Sequence, residues 1–421
     1  MSVIEKTCDV LVVGGGPAGS ATASLSAKMG RSVILLEKEQ FPRFRIGESF
    51  MPATWWSFER LGVLEKLAKA GFTRKHSVQF YLKDGRATQP FYFSDIDPRE
   101  NSVTWQVDRG TFDKLMLDHA ADCGVEVHQG SPVKEILFED GRACGARASF
   151  QTRDMIVRSK VVVDASGQNS ILARHFGLRR FDPMLKNAAI FTRFKGALRD
   201  PGRDEGATLV MHTKMGNSWF WYIPLAGDVV SVGVVGPIEY LVKGRSSDPS
   251  AVFAEEVALC PGLVPRIKDC EQVAGMQVLT DFSYISDRIA GDGWILAGDA
   301  FGFLDPIYSS GVLLALKGAE FAADSIDDAF RQNDFSAARL GRHGPRFVAG
   351  MEDLRRLVYA YYTPDFHFKA FLDRFPDCRD GLTGLFVGNV FRQSSEGLYA
   401  KMSQVLNLPD YQPLALPRQP R

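Results

Sequence analysis

At 421 residues the chain is long enough to bury a large core. Hydrophobic residues make up 45%, aromatics 11% and charged residues 24%, the profile of a soluble globular enzyme, which excludes a disordered or fibrous chain. Lys plus Arg equals Asp plus Glu at 50 each, so the overall field draws the protein to neither nucleic acid nor an anionic membrane.

The N-terminus enters an apolar run within a few residues, leaving no room for a basic region, an apolar stretch and a cleavage site, so a cytoplasmic location is expected. Residues 8–13 are largely apolar and end in Gly14-Gly15-Gly16-Pro17-Ala18-Gly19. An Ala/Ser-rich helix to Met29 and a second apolar run over residues 32–36 complete a β-α-β unit. The apolar spacing predicts one helix over residues 55–70, and alternation over 78–93 predicts strands around the turn Lys83-Asp84-Gly85. A helix is expected over 111–123, strands over 125–128 and 133–138, and a buried strand over 161–163 ending in Asp164. Residues 188–235 are strand-rich, with 208–212, 219–223 and 229–235 separated by turns, and are expected to form a sheet over the active site. Residues 294–299 read as another buried strand, 311–330 as a helix, and the chain from Asp334 as helical, with a loose tail over 409–421. No run approaches the ~18 uninterrupted apolar residues of a membrane span. Cys8, Cys123, Cys144, Cys260, Cys270 and Cys378 are scattered without a C-x-x-C pair, so free thiols in a reducing compartment are expected. The histidines are dispersed and show no H-x-x-x-H pair, so no metal site is expected.

The glycine motif follows a strand, opens a helix, and has Glu37 at the end of the next strand about 20 residues on, the context a dinucleotide fingerprint requires. Gly14 permits the tight turn, Gly16 lets backbone approach a pyrophosphate, Gly19 lets helix and strand pack closely, and Glu37 can accept from ribose hydroxyls. That geometry does not separate FAD from NAD. Leu296-Ala297-Gly298-Asp299-Ala300, however, resembles the second FAD motif of the flavoprotein monooxygenase superfamily, whose acid binds the ribityl chain. Gln106 with Arg109, ahead of Phe112-Asp113, resembles that superfamily's further FAD contacts, and Asp164-Ala165-Ser166-Gly167 its acid-glycine turn. The resemblance implies FAD held by Gly14, Gly16, Pro17, Ala18, Gly19, Glu37, Lys38, Arg45, Gln106, Arg109, Asp164, Gly298, Asp299, Gly311 and Val312. It implies an α/β fold: a Rossmann-like FAD-binding domain of the p-hydroxybenzoate hydroxylase type, an antiparallel-sheet substrate domain and a helical C-terminal region. Segments 1–75, 106–185 and 286–335 are assigned to the first, 76–105 and 186–285 to the second, and 336–421 to the third.

Three features narrow the chemistry. Trp219-Phe220-Trp221-Tyr222-Ile223-Pro224 matches W-x-W-x-I-P and resembles the signature of flavin-dependent halogenases. On a strand Trp219 and Trp221 share one face, so they can wall the flavin off from an organic substrate. Phe303 to Val312 matches the halogenase F-x-x-P-x-x-S-x-G segment, and Ser310 with Gly311 at a helix start suits a chloride or bromide ion. Gly71-Phe72-Thr73-Arg74-Lys75 resembles the stretch of phenol- and pyrrole-type halogenases whose lysine holds hypohalous acid or forms a haloamine. A partly desolvated lysine suits that task, because it can lose a proton and become nucleophilic.

There are departures as well. His76-Ser77 stands where that family often has glycine, and Tyr308 where indole halogenases carry a catalytic carboxylate, which disfavours free tryptophan as substrate. Ile46-Gly47-Glu48-Ser49, after Phe41-Pro42-Arg43, resembles both the halogenase and the geranylgeranyl-reductase branches, and Glu48 reads either as a flavin-side acid or as a helix-start carboxylate. The implied reaction uses FAD reduced by a separate flavin reductase, with oxygen and halide, to halogenate an electron-rich aromatic, either phenolic or carrier-bound. Double-bond reduction of the geranylgeranyl-reductase kind and aromatic hydroxylation stay open as alternatives. The aromatic clusters Tyr359-Ala360-Tyr361-Tyr362 and Phe366-His367-Phe368 serve either to cover the substrate cavity or as core.

Overall fold

The computed structural model describes residues 3–151, 153–392 and 395–409. All of the expected tail except Pro409 lies outside them.

The apolar residues Val10, Leu11, Val12 and Val13 are fully or almost fully buried, as a strand covered on both faces requires. They end β1 (Ile4–Val13), which leads into α1 (Pro17–Lys28) and the four-residue β2 (Val33–Leu36). Helix α1 is buried nearly all round, so its hydroxyls bond inward along the helix: Thr22 to the Ala18 carbonyl at 2.8 Å and Ser24 to that of Ser20 at 2.7 Å. The predicted helix over 55–70 is two helices, Thr54–Leu61 and Leu64–Lys69. Gly62 divides them because it adopts a left-handed conformation (φ 75°) that ends the first.

Two short strands follow, β3 (Thr73–Lys75) and β4 (Ser77–Tyr81), and then β5 (Thr104–Gln106) and α2 (Arg109–Asp122). Asp108 caps α2 by accepting from the Thr111 N–H at 2.8 Å. The chain then re-enters the first layer through β6 (Glu126–His128) and β7 (Arg153–Asp164). Strands β8 (Asn187–Lys195), β9 (Thr208–His212), β10 (Trp219–Leu225) and β11 (Val229–Pro237) build the second layer. The run from Trp294 returns as β12 (Trp294–Leu296), which stops at Leu296; Gly298 and Asp299 sit in a single helical turn after it. Helix α3 (Gly311–Gln332) and helix α4 (Gly344–Tyr362) complete the core elements.

In the first layer β12, β7, β1, β2 and β6 lie side by side and parallel. Ligands in such sheets bind at the carboxyl ends of the strands. In the second layer β8, β11, β10 and β9 are antiparallel neighbours, and β4 joins β9 in parallel. The alternation along β10 divides its side chains as the pleat demands. Phe220 and Tyr222 enter one core with Leu209, Val232 and Val234, while Trp219, Trp221 and Ile223 enter another with Val210 and Phe191. The tryptophans thereby share the face opposite Phe220 and Tyr222.

Candidate active site

A cavity of about 600 Å³ lies where the two layers meet, a size typical of cofactor pockets. Gly14, Gly16, Pro17 and Ala18 line it. A Cβ on Gly19 would sit 1.8 Å from the Gly14 carbonyl oxygen, so only glycine lets α1 pack this closely on the turn. A Cβ on Gly16 would meet nothing but Arg43 Nη2 at 3.7 Å, which leaves open room at the start of α1. No side chain caps α1, so its first N–H groups are free to receive an anion. Glu37 lies on the same wall. Its Oε2 accepts from Gly15 N–H at 2.7 Å and its Oε1 from Glu39 N–H at 2.8 Å, and a carboxylate retains further lone pairs for hydroxyls. Lys38 and Arg45 stand at the rim, half-exposed beside Glu39.

Asp299, Arg109, Gly311 and Val312 line the cavity as well. Burial pushes the Asp299 carboxyl up to about 6, with Arg109 pulling it back. Arg109 is held rigidly, its Nε and Nη2 on Asp113 at 2.8 and 3.0 Å and its Nη1 on the Ile46 carbonyl at 2.6 Å. Arg43, also on the wall, reaches Asp113 at 2.6 Å. Gly298 faces α1 instead of the cavity, with space there too tight for a Cβ, which would lie 2.8 Å from Ala18 Cβ.

Glu48 is not a helix-start carboxylate, since the next helix begins at Thr54. It lies buried on the cavity wall, where Arg193 Nε donates to it at 2.9 Å; Arg193 also reaches Asp108 at 2.8 Å. Burial pushes the Glu48 carboxyl up and Arg193 opposes the shift.

Trp219 and Trp221 both line the cavity. Trp221 donates to Ser231 Oγ at 3.1 Å, and its ring lies across Gly233, where a Cβ would come within 2.2 Å. Trp219 donates to the Tyr362 hydroxyl at 2.9 Å, and Tyr362 donates in turn to Asp305 at 3.1 Å. Asp305 also accepts from Asn187 Nδ2 and the Ile307 N–H, and burial pushes its carboxyl up to about 7. At the start of α3 the wall is formed by Ser309, left-handed at φ 56°, and Gly311. Ser310 between them is buried and its side chain caps no N–H.

Lys75, Gln106 and Asp164 lie behind the wall. Asp164 accepts from Ser166 N–H and O–H and from Leu172 N–H, so it shapes the turn whose Ala165, Ser166 and Gly167 line the cavity. The Gln106 amide donates to the Gly206 carbonyl and Thr208 Oγ1. Lys75 is 2% exposed, donates to Ser49 Oγ at 2.8 Å and the Phe50 carbonyl at 3.0 Å, and is pulled down to about 7 by burial. Ser49 and Thr208 are on the wall in front of it. Ser49, Thr208, Arg43, Arg193 and Asp305 have no role assigned from the sequence alone. Ser49, Arg43 and Asp305 stand within the Ile46–Ser49, Phe41–Arg43 and Phe303–Val312 stretches; Thr208 and Arg193 have no local signature. Among the described residues, no group of three or more His, Cys, Asp or Glu could hold a metal ion, and no helix is long and apolar enough to cross a membrane.

A strand-turn-helix whose helix start has no side-chain cap, an acid after the second strand and a second acid on the wall of the same cavity fit a flavin dinucleotide. The FAD binding domain family model matches residues 7–323. The chain is 32% identical to the 1H-pyrrole-2-carbonyl-(peptidyl-carrier protein) chlorinase of Pseudomonas fluorescens, over 94% of this chain and 93% of that protein. It is 35% identical to the corresponding brominase of Pseudoalteromonas luteoviolacea, over 92% and 93%. The structure of flavin-dependent brominase Bmp2 superposes with a TM-score of 0.85 at 31% identity, covering 95% of this chain and 98% of that one. The chain belongs to the FAD binding domain family and, within it, to the flavin-dependent halogenases. It is an oxidoreductase whose cofactor is FAD, and halogenation, not double-bond reduction or hydroxylation, is its chemistry.

Proposed function

We propose that the protein halogenates an electron-rich aromatic ring borne on a carrier protein, and that Lys75 takes up the halogen and delivers it. The observation carrying this reading is the state of Lys75: an enclosed amine, lowered to about 7 by burial, one hydroxyl away from the cavity wall. The carrier-bound substrate is supported by the two bacterial relatives, which are named for the 1H-pyrrole-2-carbonyl group on a peptidyl-carrier protein. Gly14, Gly16, Glu37, Lys38 and Arg45 would hold the dinucleotide end of FAD, and Arg109, Asp299, Gly311 and Val312 the flavin end. Reduced FAD supplies, when bound, the electrons with which dioxygen converts halide to hypohalous acid. The uncapped N–H groups beginning α3, beside Ser309, Ser310 and Gly311, favour a halide ion there. Trp219 and Trp221 separate the flavin space from the organic substrate.

At Lys75 the neutral amine attacks the halogen of hypohalous acid: the N–halogen bond forms, the O–halogen bond breaks, and the amine proton leaves with hydroxide as water. The ring then attacks the halogen, which leaves nitrogen, and the ring proton returns to the amine. We further infer a separate flavin reductase as electron donor and the cytoplasm as location. The test is Lys75→Ala in holoenzyme supplied with reductase, NADH, oxygen and bromide. Product is expected to fall below detection while reduced FAD is still consumed; halogenation at the wild-type rate would remove Lys75 from this role.

A further inference from the structure

The two wall tryptophans are held by different means. Trp221 is wedged within its own sheet: its ring fills the space over Gly233, and its N–H bonds Ser231 on the neighbouring strand β11. Trp219, the first residue of β10, takes its polar partner from outside the sheet. Its Nε1 donates at 2.9 Å to the hydroxyl of Tyr362, the last residue of α4. Tyr362 in turn spans both oxygens of Asp305, at 3.2 and 3.1 Å. A phenol has one proton to give, so while Tyr362 gives it to Asp305 its oxygen is left to accept from the indole. The carboxylate thereby sets the direction of the whole chain, Trp219 to Tyr362 to Asp305.

Asp305 is fully buried and immediately precedes Pro306 and Ile307, which line the cavity. It also accepts from Asn187 Nδ2 at 3.1 Å and from the Ile307 N–H at 3.0 Å. None of these partners carries a positive charge. The other titratable groups acting on it or responding to it are Asp182, Tyr308 three residues on, and Tyr361 on α4, all of them acidic. A buried carboxyl held by neutral donors alone is costly, so its place behind the wall calls for a role.

We propose that Asp305 and Tyr362 are positioning residues for halogenation: the Asp305 carboxylate orients the Tyr362 hydroxyl, which fixes the Trp219 indole as the partition between the flavin and the organic substrate. This rests on the reading of Trp219 as part of that partition. With Asp305 ionised, the bonds of the chain polarise one another and the indole is held firmly. With Asp305 protonated, Tyr362 loses its charged acceptor and the restraint weakens. Both residues act through Trp219.

The experiment uses holoenzyme with oxidised FAD, labelled with nitrogen-15 in its six tryptophans. Trp219→Phe identifies the Trp219 indole cross peak by its absence, and the peak is followed from pH 5.5 to 9. Burial holds the Asp305 carboxyl at about 7, so the wild-type peak is expected to move downfield with a midpoint there. It should stay still in Asp305→Asn and in Tyr362→Phe. A merely structural role would give the peak no such pH dependence. A wild-type peak that does not titrate, or one that titrates equally in Asp305→Asn, would overturn the proposal without any turnover being needed.

A second reading counts halogenated and hydroxylated product per reduced FAD consumed, with reductase, NADH, oxygen, bromide and a pyrrole-loaded carrier protein. Asp305→Asn and Tyr362→Phe are expected to lower halogenated product by about fivefold, the effect of one lost hydrogen bond, with FAD absorbance unchanged. Trp219→Ala is run beside them. If Trp219→Ala halogenates with wild-type yield, the partition reading fails and takes this proposal with it. If Trp219→Ala loses product while Asp305→Asn and Tyr362→Phe keep it within about twofold of wild type, the positioning role alone fails.

Discussion

Lys75 is enclosed by protein that offers it no carboxylate, and desolvation alone draws its amine down from 10.5 to about 7. The charged form is the one burial penalises, so near neutral pH a substantial fraction is neutral and nucleophilic. Below about pH 7 the amine protonates and can only donate hydrogen bonds; halogenated product per reduced FAD consumed should therefore decline as pH falls through 7, a dependence measurable from pH 5.5 to 9. The same shift has a cost in stability. Because the folded state binds this proton less tightly than the unfolded chain, Lys75 destabilises the fold fully below about pH 7, and the penalty fades as pH rises toward 10.5. Lys75→Met should accordingly raise unfolding free energy by roughly 2 kcal/mol at pH 7, with the gain shrinking at pH 10, as read by urea denaturation. A loss of stability at pH 7 would contradict the burial account. Residues with a local signature were legible in the sequence: the glycines, Glu37 and the tryptophan pair. Of the two readings of Glu48 the helix-start carboxylate fails, and its partner Arg193 lies 145 residues away, on a strand whose placement no nearby pattern announces.

Among the elements, β10 owes its function to its neighbour. Trp221 pairs with Gly233 on β11, and the indole occupies the space that a side chain there would need. Gly233→Ala is expected to displace the ring, to destabilise by about 1–3 kcal/mol through overpacking, and to reduce halogenation while FAD still binds. Thermal denaturation and FAD absorbance read the first two effects; unchanged stability and activity would show that Trp221 can repack. The aromatic run over 219–223 made this strand legible, and period two, a property of the backbone, put Trp219 and Trp221 on one face. The break in the helix over 55–70 was not legible, because apolar spacing continues across Gly62 and only the left-handed turn reveals it. The strand expected to reach Asp299 stops at Leu296 for a similar reason: the apolar run continues, but Gly298 turns the chain (φ 61°) against α1.

In the whole molecule the cavity is closed by segments far apart in sequence. Tyr362, at the end of α4, reaches both Trp219 on β10 and Asp305 ahead of α3, so the helical C-terminal region is tied to the wall through a tyrosine. The cluster over 359–362 divides its labour: Tyr359 packs into the core beneath the tryptophans, while Tyr361 reaches His212 at the end of β9. Of core and cover, weighed as alternatives from the sequence, core is what these residues form, since none of Tyr359, Tyr361 and Tyr362 lines the cavity. The sequence made the cofactor legible because its motifs are contiguous, whereas the hydrogen-bonded surroundings of Lys75 are assembled from Ser49, Thr208 and Gln106 on three separate segments. The central claim is that this cavity generates an oxidised halogen that Lys75 delivers to an aromatic ring. The most direct test incubates purified protein with FAD, a flavin reductase, NADH, oxygen, bromide and a pyrrole-loaded carrier protein, and reads the intact mass of the carrier. A mass increase with the twin isotope pattern of bromine, absent with Lys75→Ala, is the predicted result; an unbrominated carrier and unbrominated free phenols, with reduced FAD fully consumed, would contradict it.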